Sequence, residues 1–367
     1  MTSRLNTFLA GIRVLDLSRH LPGPLATLLM ADMGAEVIKV ESPDGDEMRS
    51  IGPPGPLGRS LFFDAVNAGK RSIRIDLKSA AGKEELLLLA RSADVLVESF
   101  RPGVMARLGI GPEVLRAAHP GLVVVSLSGY GQEGPIRDSA GHDANYLALN
   151  GMLSATGSSA HPGYIDPPMA DCSASMFALS SVLGALLART RDGRGCTIDL
   201  ALTDAVMPFQ LFALASLGFA GHVPRPEQEF LNGGWGCYRP YVLKDRRVVA
   251  LGAIEPRFWQ AFCTASRHPE WIGRHNDPLP QGELIQAIEA HFALLTAEDC
   301  EATYASVDCC LTVVNDLAEA VRSPHVDQRG LVRRHPAMQI FEAAFPVLID
   351  GERPALRSGL REGSSQA

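Results

Sequence analysis

The chain contains 367 residues with a formal net charge of −7 at pH 7, and 46% of the residues are hydrophobic while 20% are charged. These values are typical of a folded globular protein and argue against a fibrous repeat or long disorder. No cluster of lysine and arginine indicates a nucleic-acid or anionic-membrane partner. The seven cysteines include no C-x-x-C pair, which favours a reduced, cytoplasmic protein.

The first half of the sequence alternates strand-like and helix-like segments. Residues 12–17 have the alternation and β-branching of a strand, residues 25–33 have the spacing of a helix, and residues 35–40 predict a second strand. The same patterns recur in predicted strands at 72–76, 94–98 and 122–126 and in a predicted helix at 80–90. This order predicts an α/β fold with a Rossmann-like large domain, whose mostly parallel sheet binds ligands at the carboxyl ends of its strands.

Two further helices are predicted in the middle of the chain, at residues 144–155 and 172–189. The second helix contains the long apolar run 176–188. This run is too short and too rich in serine and glycine to cross a bilayer, so we expect a buried helix and no membrane partner.

The character of the sequence changes beyond residue 220, where an antiparallel hairpin and several helices are predicted. We therefore expect a smaller α+β domain over residues 221–324. The large domain is expected over residues 1–220, completed by residues 325–367. The polar end of the chain, residues 361–367, is predicted to be disordered.

The segment Ser128-Gly-Tyr-Gly-Gln-Glu-Gly134 has a G-x-G-x-x-G spacing after a predicted strand. A dinucleotide fingerprint requires a helix to begin at these glycines, but Pro135 and polar residues follow here. The first predicted strand-to-helix turn also lacks the glycine spacing. We therefore expect no nicotinamide cofactor, and no metal ion either, because the ten histidines show no ligand spacing.

His142 and Asp143 stand side by side directly before a predicted helix, and Asp171 has the same position before the next helix. The simplest interpretation is that each aspartate caps the helix that follows it by accepting backbone N–H bonds. That interpretation gives His142 no role. An imidazole and a carboxylate on separate loops can also flank one carbon atom as base and acid, while helix N-termini stabilise an enolate oxygen.

Many separate motifs over residues 10–260 resemble the family III CoA-transferase superfamily. They are GIRVLDLSRHLPGPLATLLMADMGAEVIKVESPDGD, NAGKRSIRIDLKS, ADVLVESFRPGVMARLGIG, LSGYGQEGP, AGHDANYLALNGML, MADCSASMFALSSVLGALLARTRDGRG and LGAIEPRFW. Within this superfamily, the G-H-D motif at residues 141–143 resembles the α-methylacyl-CoA racemase branch.

The resemblance implies 1,1-proton transfer on the α-carbon of a 2-methylacyl-CoA, with His142 and Asp171 as the acid/base pair. It implies no cofactor beyond the coenzyme A of the acyl-CoA substrate, and Asp143 and Glu255 would be hydrogen-bonding partners of the pair. Relatives of this kind are homodimers with interlocked chains, so we expect a homodimer. The residues implied in binding CoA are Lys39, Asn67, Lys70, Arg71, Arg101 and Gly141.

Two alternatives stay open at this point. In the transferase branch, the residue at the position of Asp171 is a nucleophile that forms an aspartyl-CoA thioester, and another residue commonly takes the place of His142. His142 therefore favours the racemase. Ala68 and Asn232 stand where the family usually has arginine and aspartate, and they motivate the other alternative, an acyl-CoA-binding protein without turnover.

Overall fold

The computed structural model describes residues 3–158, 160–161, 163–336 and 339–363. The chain divides into two compact units. The large unit comprises residues 1–150, 166–209 and 323–367, and the small unit comprises residues 151–165 and 210–322. The small unit thus includes the loop 151–165, which was predicted to lie in the large domain.

In chain order, the strands are β1 (Arg13–Leu17), β2 (Glu36–Glu41), β3 (Arg71–Arg74), β4 (Val95–Glu98), β5 (Val123–Ser128), β6 (Thr197–Ala201), β7 (Tyr238–Val242), β8 (Val248–Gly252), β9 (Leu311–Val313), β10 (Val332–Arg334), β11 (Phe341–Ala343) and β12 (Arg361–Glu362). The α-helices are α1 (Pro22–Asp32), α2 (Leu61–Asn67), α3 (Ala80–Ala90), α4 (Val104–Leu108), α5 (Pro112–Ala118), α6 (Asp143–Leu149), α7 (Met169–Asp192), α8 (Leu211–Ala220), α9 (Pro256–Ala265), α10 (Gly282–Phe292), α11 (Ala297–Tyr304), α12 (Leu317–Ala320) and α13 (Pro324–Arg329). Short 3₁₀ helices lie at Arg4–Thr7, Glu47–Arg49, Met152–Ala155, Asp204–Gln210 and Pro269–Arg274.

Seven of the described strands form one parallel sheet in the large unit, in the order β12-β3-β2-β1-β4-β5-β6. The central strand β1 places Val14 beside Val37 of β2 and Val95 of β4. Every residue of β4 and β5 is buried, as expected for parallel strands that helices cover on both faces. The predicted α/β fold with a large, mostly parallel sheet is confirmed.

The long helix α7, with 24 residues, packs against α1, α6, β5 and β6. By length and composition alone this helix could cross a membrane. One of its faces, which includes Ala174, Ala178 and Val182, is instead buried within the large unit. These residues recur every four positions and are small, so α7 can approach its neighbours closely.

The small unit has its own hydrophobic core next to an antiparallel sheet. Within the described residues this sheet has the strand order β7-β8-β9. Aromatic side chains fill the core: the ring centroids of Trp259 and Phe262 lie 5.5 Å apart, and those of Tyr241 and Phe292 lie 5.2 Å apart. The sheet and the helices α9 and α10 give this unit an α+β composition.

The C-terminal strand β12 contradicts the predicted disorder of the tail. Arg361 pairs with Arg71, which adds a parallel strand to the edge of the large sheet. Pairing with a distant strand supplies the backbone hydrogen bonds that an isolated polar tail would lack. The rest of the predicted tail, residues 364–367, lies outside the described residues.

Candidate active site

A cavity of about 440 Å³, the central cavity, lies at the carboxyl end of the large sheet. Its wall includes residues at the ends of β1, β4, β5 and β6, residues at the starts of α6 and α7, and the loop that precedes α6. All of these residues belong to the large unit. This is the edge at which parallel sheets bind their ligands.

The two residues predicted to form the acid/base pair both line the central cavity. His142 is the N-cap residue of α6, and Asp171 lies in the first turn of α7. The structure thus brings an imidazole and a carboxylate that are distant in the sequence to one space. Their roles as acid and base stay a prediction.

Asp143 connects the N-termini of α6 and α7. Its Oδ1 atom accepts hydrogen bonds from the backbone N–H groups of Ala170 at 2.6 Å and of Asp171 at 3.2 Å. N–H groups in the first turn of a helix have no partner within that helix, so Asp143 caps the neighbouring helix and not its own. The interpretation of each aspartate as the cap of the following helix is wrong, because α7 begins at Met169 and Asp171 is its third residue.

Burial raises the pKa of Asp171 to about 7, and the nearby charge of Asp143 adds to the increase. A carboxyl group with this pKa is present in both protonation states near neutral pH. It can therefore remove a proton in one direction of a reaction and return a proton in the other. A perturbed carboxyl group in a cavity is a feature of functional sites, which marks the central cavity as the candidate active site.

Tyr146 fixes the loop that carries His142. Its hydroxyl donates a hydrogen bond to the carbonyl of Gly141 at 2.6 Å, and its ring packs edge-on against Tyr130 with centroids 5.3 Å apart. A Cβ atom on Gly141 would lie 2.5 Å from the hydroxyl oxygen of Tyr130, so the close packing here requires glycine. Burial, and to a smaller extent the charge of Asp171, raises the pKa of Tyr146 to about 12. The hydroxyl of Tyr146 therefore stays protonated and can donate a hydrogen bond at neutral pH.

Two lysines predicted to meet CoA phosphates are buried in ion pairs instead. The Lys39 side chain is 1% exposed and its amine lies 2.9 Å from the carboxylate of Asp46. The Lys70 side chain is 0% exposed and its amine lies 2.9 Å from the carboxylate of Asp16 and 2.9 Å from Oδ1 of Asn67. These five residues form what we call the buried lysine cluster. A phosphate cannot reach its amines, so the structure corrects the expected ligand role of Lys39, Lys70 and Asn67 to a structural one.

Of the other predicted CoA ligands, Arg101 and Gly141 line the central cavity. Arg71 lies outside its wall, at the start of β3, with its guanidinium 3.8 Å from the carboxylate of Glu36. Arg19, which was not predicted from the sequence, lines both the central cavity and a second cavity of about 430 Å³. The available signal was its position two residues after β1, because ligand-binding residues gather at the carboxyl ends of parallel strands.

Glu255 lies in the small unit, where it is the N-cap residue of α9. Its backbone carbonyl accepts hydrogen bonds from Phe258 at 2.9 Å and Trp259 at 3.0 Å. Its hydrogen bond to the acid/base pair stays a prediction. Within residues 3–158, 160–161, 163–336 and 339–363, no group of three or more His, Cys, Asp and Glu side chains is arranged to hold a metal ion.

Comparison with known proteins identifies the family. A sequence model of CoA-transferase family III matches residues 9–359 of the chain. The chain belongs to CoA-transferase family III. The recognition made from the sequence motifs is thereby confirmed.

The relatives of this family III enzyme carry the names of two reaction types. Human alpha-methylacyl-CoA racemase is 31% identical to it over 363 residues, which cover 96% of this chain and 89% of the racemase. Mouse succinyl-CoA:glutarate CoA-transferase is 32% identical over 354 residues, which cover 93% of this chain and 80% of the transferase. A crystal structure of a CAIB/BAIF family protein from Brucella suis matches with a TM-score of 0.84 and 26% identity, covering 98% of this chain and 96% of that one. The family therefore includes both racemases and CoA transferases.

Proposed function

We propose that this family III enzyme is a cofactor-independent acyl-CoA racemase or epimerase, which inverts the α-carbon of a 2-methylacyl-CoA by 1,1-proton transfer. The observation that carries the proposal is that His142 and Asp171 line one cavity. The resemblance to human alpha-methylacyl-CoA racemase along most of both chains supports it. Coenzyme A takes part as the thiol portion of the substrate.

The proposed reaction takes one proton from the α-carbon and returns another to its opposite face. One member of the His142–Asp171 pair acts as the base, and the electron pair of the broken C–H bond forms the enolate of the thioester. The other member is protonated at the start and donates its proton to the opposite face of the same carbon. Exchange with solvent then restores the starting protonation states. With a pKa of about 7, Asp171 can serve in both roles.

Arg101 and Arg19 are the cations that we propose for the phosphates of CoA. Both line the central cavity, and a guanidinium forms charge-assisted, two-pronged hydrogen bonds with phosphate oxygens. Arg19 and Phe100 also line the second cavity, so a long ligand such as CoA has two adjoining spaces to occupy. Arg71 stays a candidate at the edge of the sheet.

A single epimer of a 2-methylacyl-CoA, incubated with the enzyme in D2O, tests the proposal. We expect deuterium to enter the α-position and the other epimer to accumulate. We expect Asp171→Ala to abolish accumulation of the other epimer, because inversion needs both members of the pair, and this result would also exclude a binding protein without turnover. No exchange in the wild-type enzyme across several acyl chains would refute the proposal.

A CoA transferase is the second candidate, because the mouse transferase is as similar to this chain as the human racemase. In that reaction the Asp171 carboxyl group becomes an aspartyl-CoA thioester, and the original acyl group leaves as a free carboxylate. An acceptor carboxylate then takes up the CoA and regenerates Asp171. Mass spectrometry after incubation with acyl-CoA and hydroxylamine would detect the trapped adduct. Unmodified Asp171 after long incubation would decide against the transferase.

We further propose that the enzyme is a homodimer. The helix α8 consists of apolar residues and glycine and serine, and none of its residues is buried in the described chain. Phe212 is 69% exposed and Phe219 is 97% exposed. An exposed apolar surface of this kind is typical of a protein interface, and the occupant that we propose is a second copy of this chain.

A further inference from the structure

Ser128 lies in the wall of the central cavity and carries a buried hydroxyl group. It is the last residue of β5, it is 7% exposed, and it lines the same cavity as His142 and Asp171. Its Oγ atom is buried and has no hydrogen-bond partner among the residues that the structure describes. The proposed proton transfer gives this group no role.

Other buried serines of the large unit use their hydroxyl groups within the protein. Ser126, two residues earlier on the same strand, lies close enough to the carboxylate of Glu98 to oppose the increase in its pKa that burial causes. Ser175 donates to the carbonyl of Pro22 at 2.8 Å. A buried hydroxyl without a partner is unfavourable, because it has given up its hydrogen bonds to water without replacement. The hydroxyl of Ser128 therefore lacks a hydrogen-bond partner that a polar atom of a ligand could supply.

The backbone at Ser128 is held against β6. Its carbonyl accepts a hydrogen bond from the N–H of Leu202 at 2.9 Å, and β5 pairs it with Ala201 of β6. A Cβ atom on the next residue, Gly129, would lie 2.7 Å from the hydroxyl oxygen of Tyr146, so the chain is closely packed here. A side chain on such a rigid strand end is a preorganised donor that needs little rearrangement during a reaction.

We propose that Ser128 is a further catalytic residue, whose hydroxyl donates a hydrogen bond to the thioester carbonyl oxygen of the bound acyl-CoA. This inference rests on the proposed racemase function. As the α C–H bond breaks, its electron pair moves into the enolate, and the proton goes to the base of the His142–Asp171 pair. Negative charge then grows on the carbonyl oxygen, while Ser128 keeps its own proton. A hydrogen bond that strengthens with this charge lowers the barrier.

The thioester carbonyl is the ligand group that suits this position. The α-carbon that meets His142 and Asp171 is bonded directly to the carbonyl carbon, so the carbonyl oxygen occupies the same cavity. That oxygen can only accept hydrogen bonds, and a serine hydroxyl can donate one. An amide of the CoA chain is the other possible partner, and ligands with and without the thioester carbonyl tell the two apart.

Calorimetric binding of two matched ligands tests the inference. The ligand 2-methylpropanoyl-CoA contains the thioester carbonyl, and the thioether S-(2-methylpropyl)-CoA lacks it. We expect the wild-type enzyme to prefer the thioester and Ser128→Ala to bind it about tenfold more weakly, with unchanged affinity for the thioether. The control Ser126→Ala should keep the wild-type preference. The inference would be overturned if Ser128→Ala preferred the thioester as strongly as the wild-type enzyme does. It would also be overturned if Ser128→Ala lost the same affinity for both ligands.

Kinetics separate a failure of this inference from a failure of the proposed function. If the wild-type enzyme exchanges the α-proton, we expect Ser128→Ala to lower kcat about 100-fold and to raise KM about tenfold, in line with the weaker binding of the thioester. An unchanged kcat would overturn the role of Ser128 and leave the proposed function intact. Absent exchange in the wild-type enzyme would refute the proposed function, and the two-ligand comparison would still decide whether Ser128 binds the carbonyl.

Thermal unfolding distinguishes a ligand-binding hydroxyl from a structural one. Removing an unpaired buried hydroxyl should leave the unfolding midpoint of Ser128→Ala unchanged or higher. Ser126→Ala should lower the midpoint, because the buried Glu98 side chain then loses a polar neighbour. A decrease in Ser128→Ala as large as that in Ser126→Ala would show a structural partner and overturn the inference.

Discussion

The carboxyl group of Asp171 sets the pH dependence of the proposed reaction. Burial, and then the charge of Asp143, raise its pKa to about 7, so its base form increases as the pH rises through neutrality. Asp143→Asn removes that charge but keeps an oxygen that can accept the N–H bonds of Ala170 and Asp171. We therefore expect the pKa of Asp171 to fall and the pH profile of kcat to shift to lower pH.

Initial rates of α-proton exchange from one epimer, measured over a range of buffers around neutral pH, give this profile. Asp138→Asn is the matched control, because Asp138 is an exposed carboxylate in the same loop, with a loose contact to Arg137 at 3.4 Å. The control should keep the wild-type profile. A shift of the Asp143→Asn profile to higher pH, or no shift, would contradict the assignment of the titrating group.

The same pKa makes Asp171 a cost to stability. The pKa of this carboxyl group rises from 3.8 in the unfolded chain to about 7 in the folded protein. The folded state therefore becomes less stable as the pH rises above 3.8, because the unfolded chain can then ionise the group more easily. Asp171→Asn removes this cost. We expect the free energy of unfolding at about pH 8 to increase by about 2 kcal/mol, allowing for solvent screening, and the increase to vanish at about pH 4. Urea unfolding at both pH values measures it, and an equal increase at both would contradict the pKa.

Individual residues could be predicted from the sequence where a local motif carries the information. His142 and Asp171 precede or begin helices within recognisable motifs, and the structure places both in the central cavity. Lys39 and Lys70 also fall within family motifs, but their environment could not be predicted. Whether a lysine meets solvent or a buried carboxylate such as Asp16 depends on contacts between distant segments, which no local pattern records.

At the level of elements, the buried lysine cluster ties strands and helices together beside the active site. The amine of Lys70 donates to Asp16 of β1 at 2.9 Å and to the carbonyl of Pro24 and the hydroxyl of Thr27 in α1 at 2.9 and 2.8 Å. We expect Lys70→Met to lower the free energy of unfolding by about 3–5 kcal/mol, because the buried carboxylate of Asp16 loses its ion-pair partner and keeps only the charge of Lys39 nearby. Urea unfolding at neutral pH measures the loss.

The control for this prediction is Lys78→Met, which removes an exposed lysine. It should change the free energy of unfolding by less than about 0.5 kcal/mol, the usual size of effects at exposed positions. Equal losses in the two variants would contradict the structural role of Lys70 and reopen its assignment as a CoA ligand.

The sequence predicted the central strands and helices well, because a strand buried on both faces must be a run of apolar, β-branched residues. The predicted strand 12–17 is observed as β1, and the predicted helix 172–189 is the centre of α7. Helix starts were less accurate: α1 begins at Pro22, three residues before its prediction, because prolines fit the first turn of a helix. Strand β12 was missed because its pairing with β3 depends on a distant segment.

At the scale of the whole molecule, the exposed helix α8 predicts self-association. We expect the wild-type enzyme to sediment as a dimer. Phe219→Asp should raise the dissociation constant of the dimer at least tenfold, because it would bury a charge in an apolar interface. Leu294→Asp is the control, because Leu294 is an exposed apolar residue of the same unit outside α8. A monomeric wild-type enzyme, or equal effects of both substitutions, would contradict the proposed homodimer.

The overall architecture was predictable because the alternation of strands and helices permits few arrangements other than a parallel sheet. The division into units was less predictable from the sequence, because the loop 151–165 belongs to the small unit although helices of the large unit flank it. The reaction type is a finer question than the fold. A racemase and a CoA transferase share the framework, and the choice rests on the chemistry at His142 and Asp171.

The most direct test of the central claim follows α-proton exchange from each epimer separately, in D2O, with His142→Ala and Asp171→Asn. If the two residues act on opposite faces of the α-carbon, each variant should lose exchange from one epimer more strongly, and the affected epimer should differ between the variants. Loss of exchange from the same epimer in both variants, or wild-type exchange in either, would contradict the two-base account.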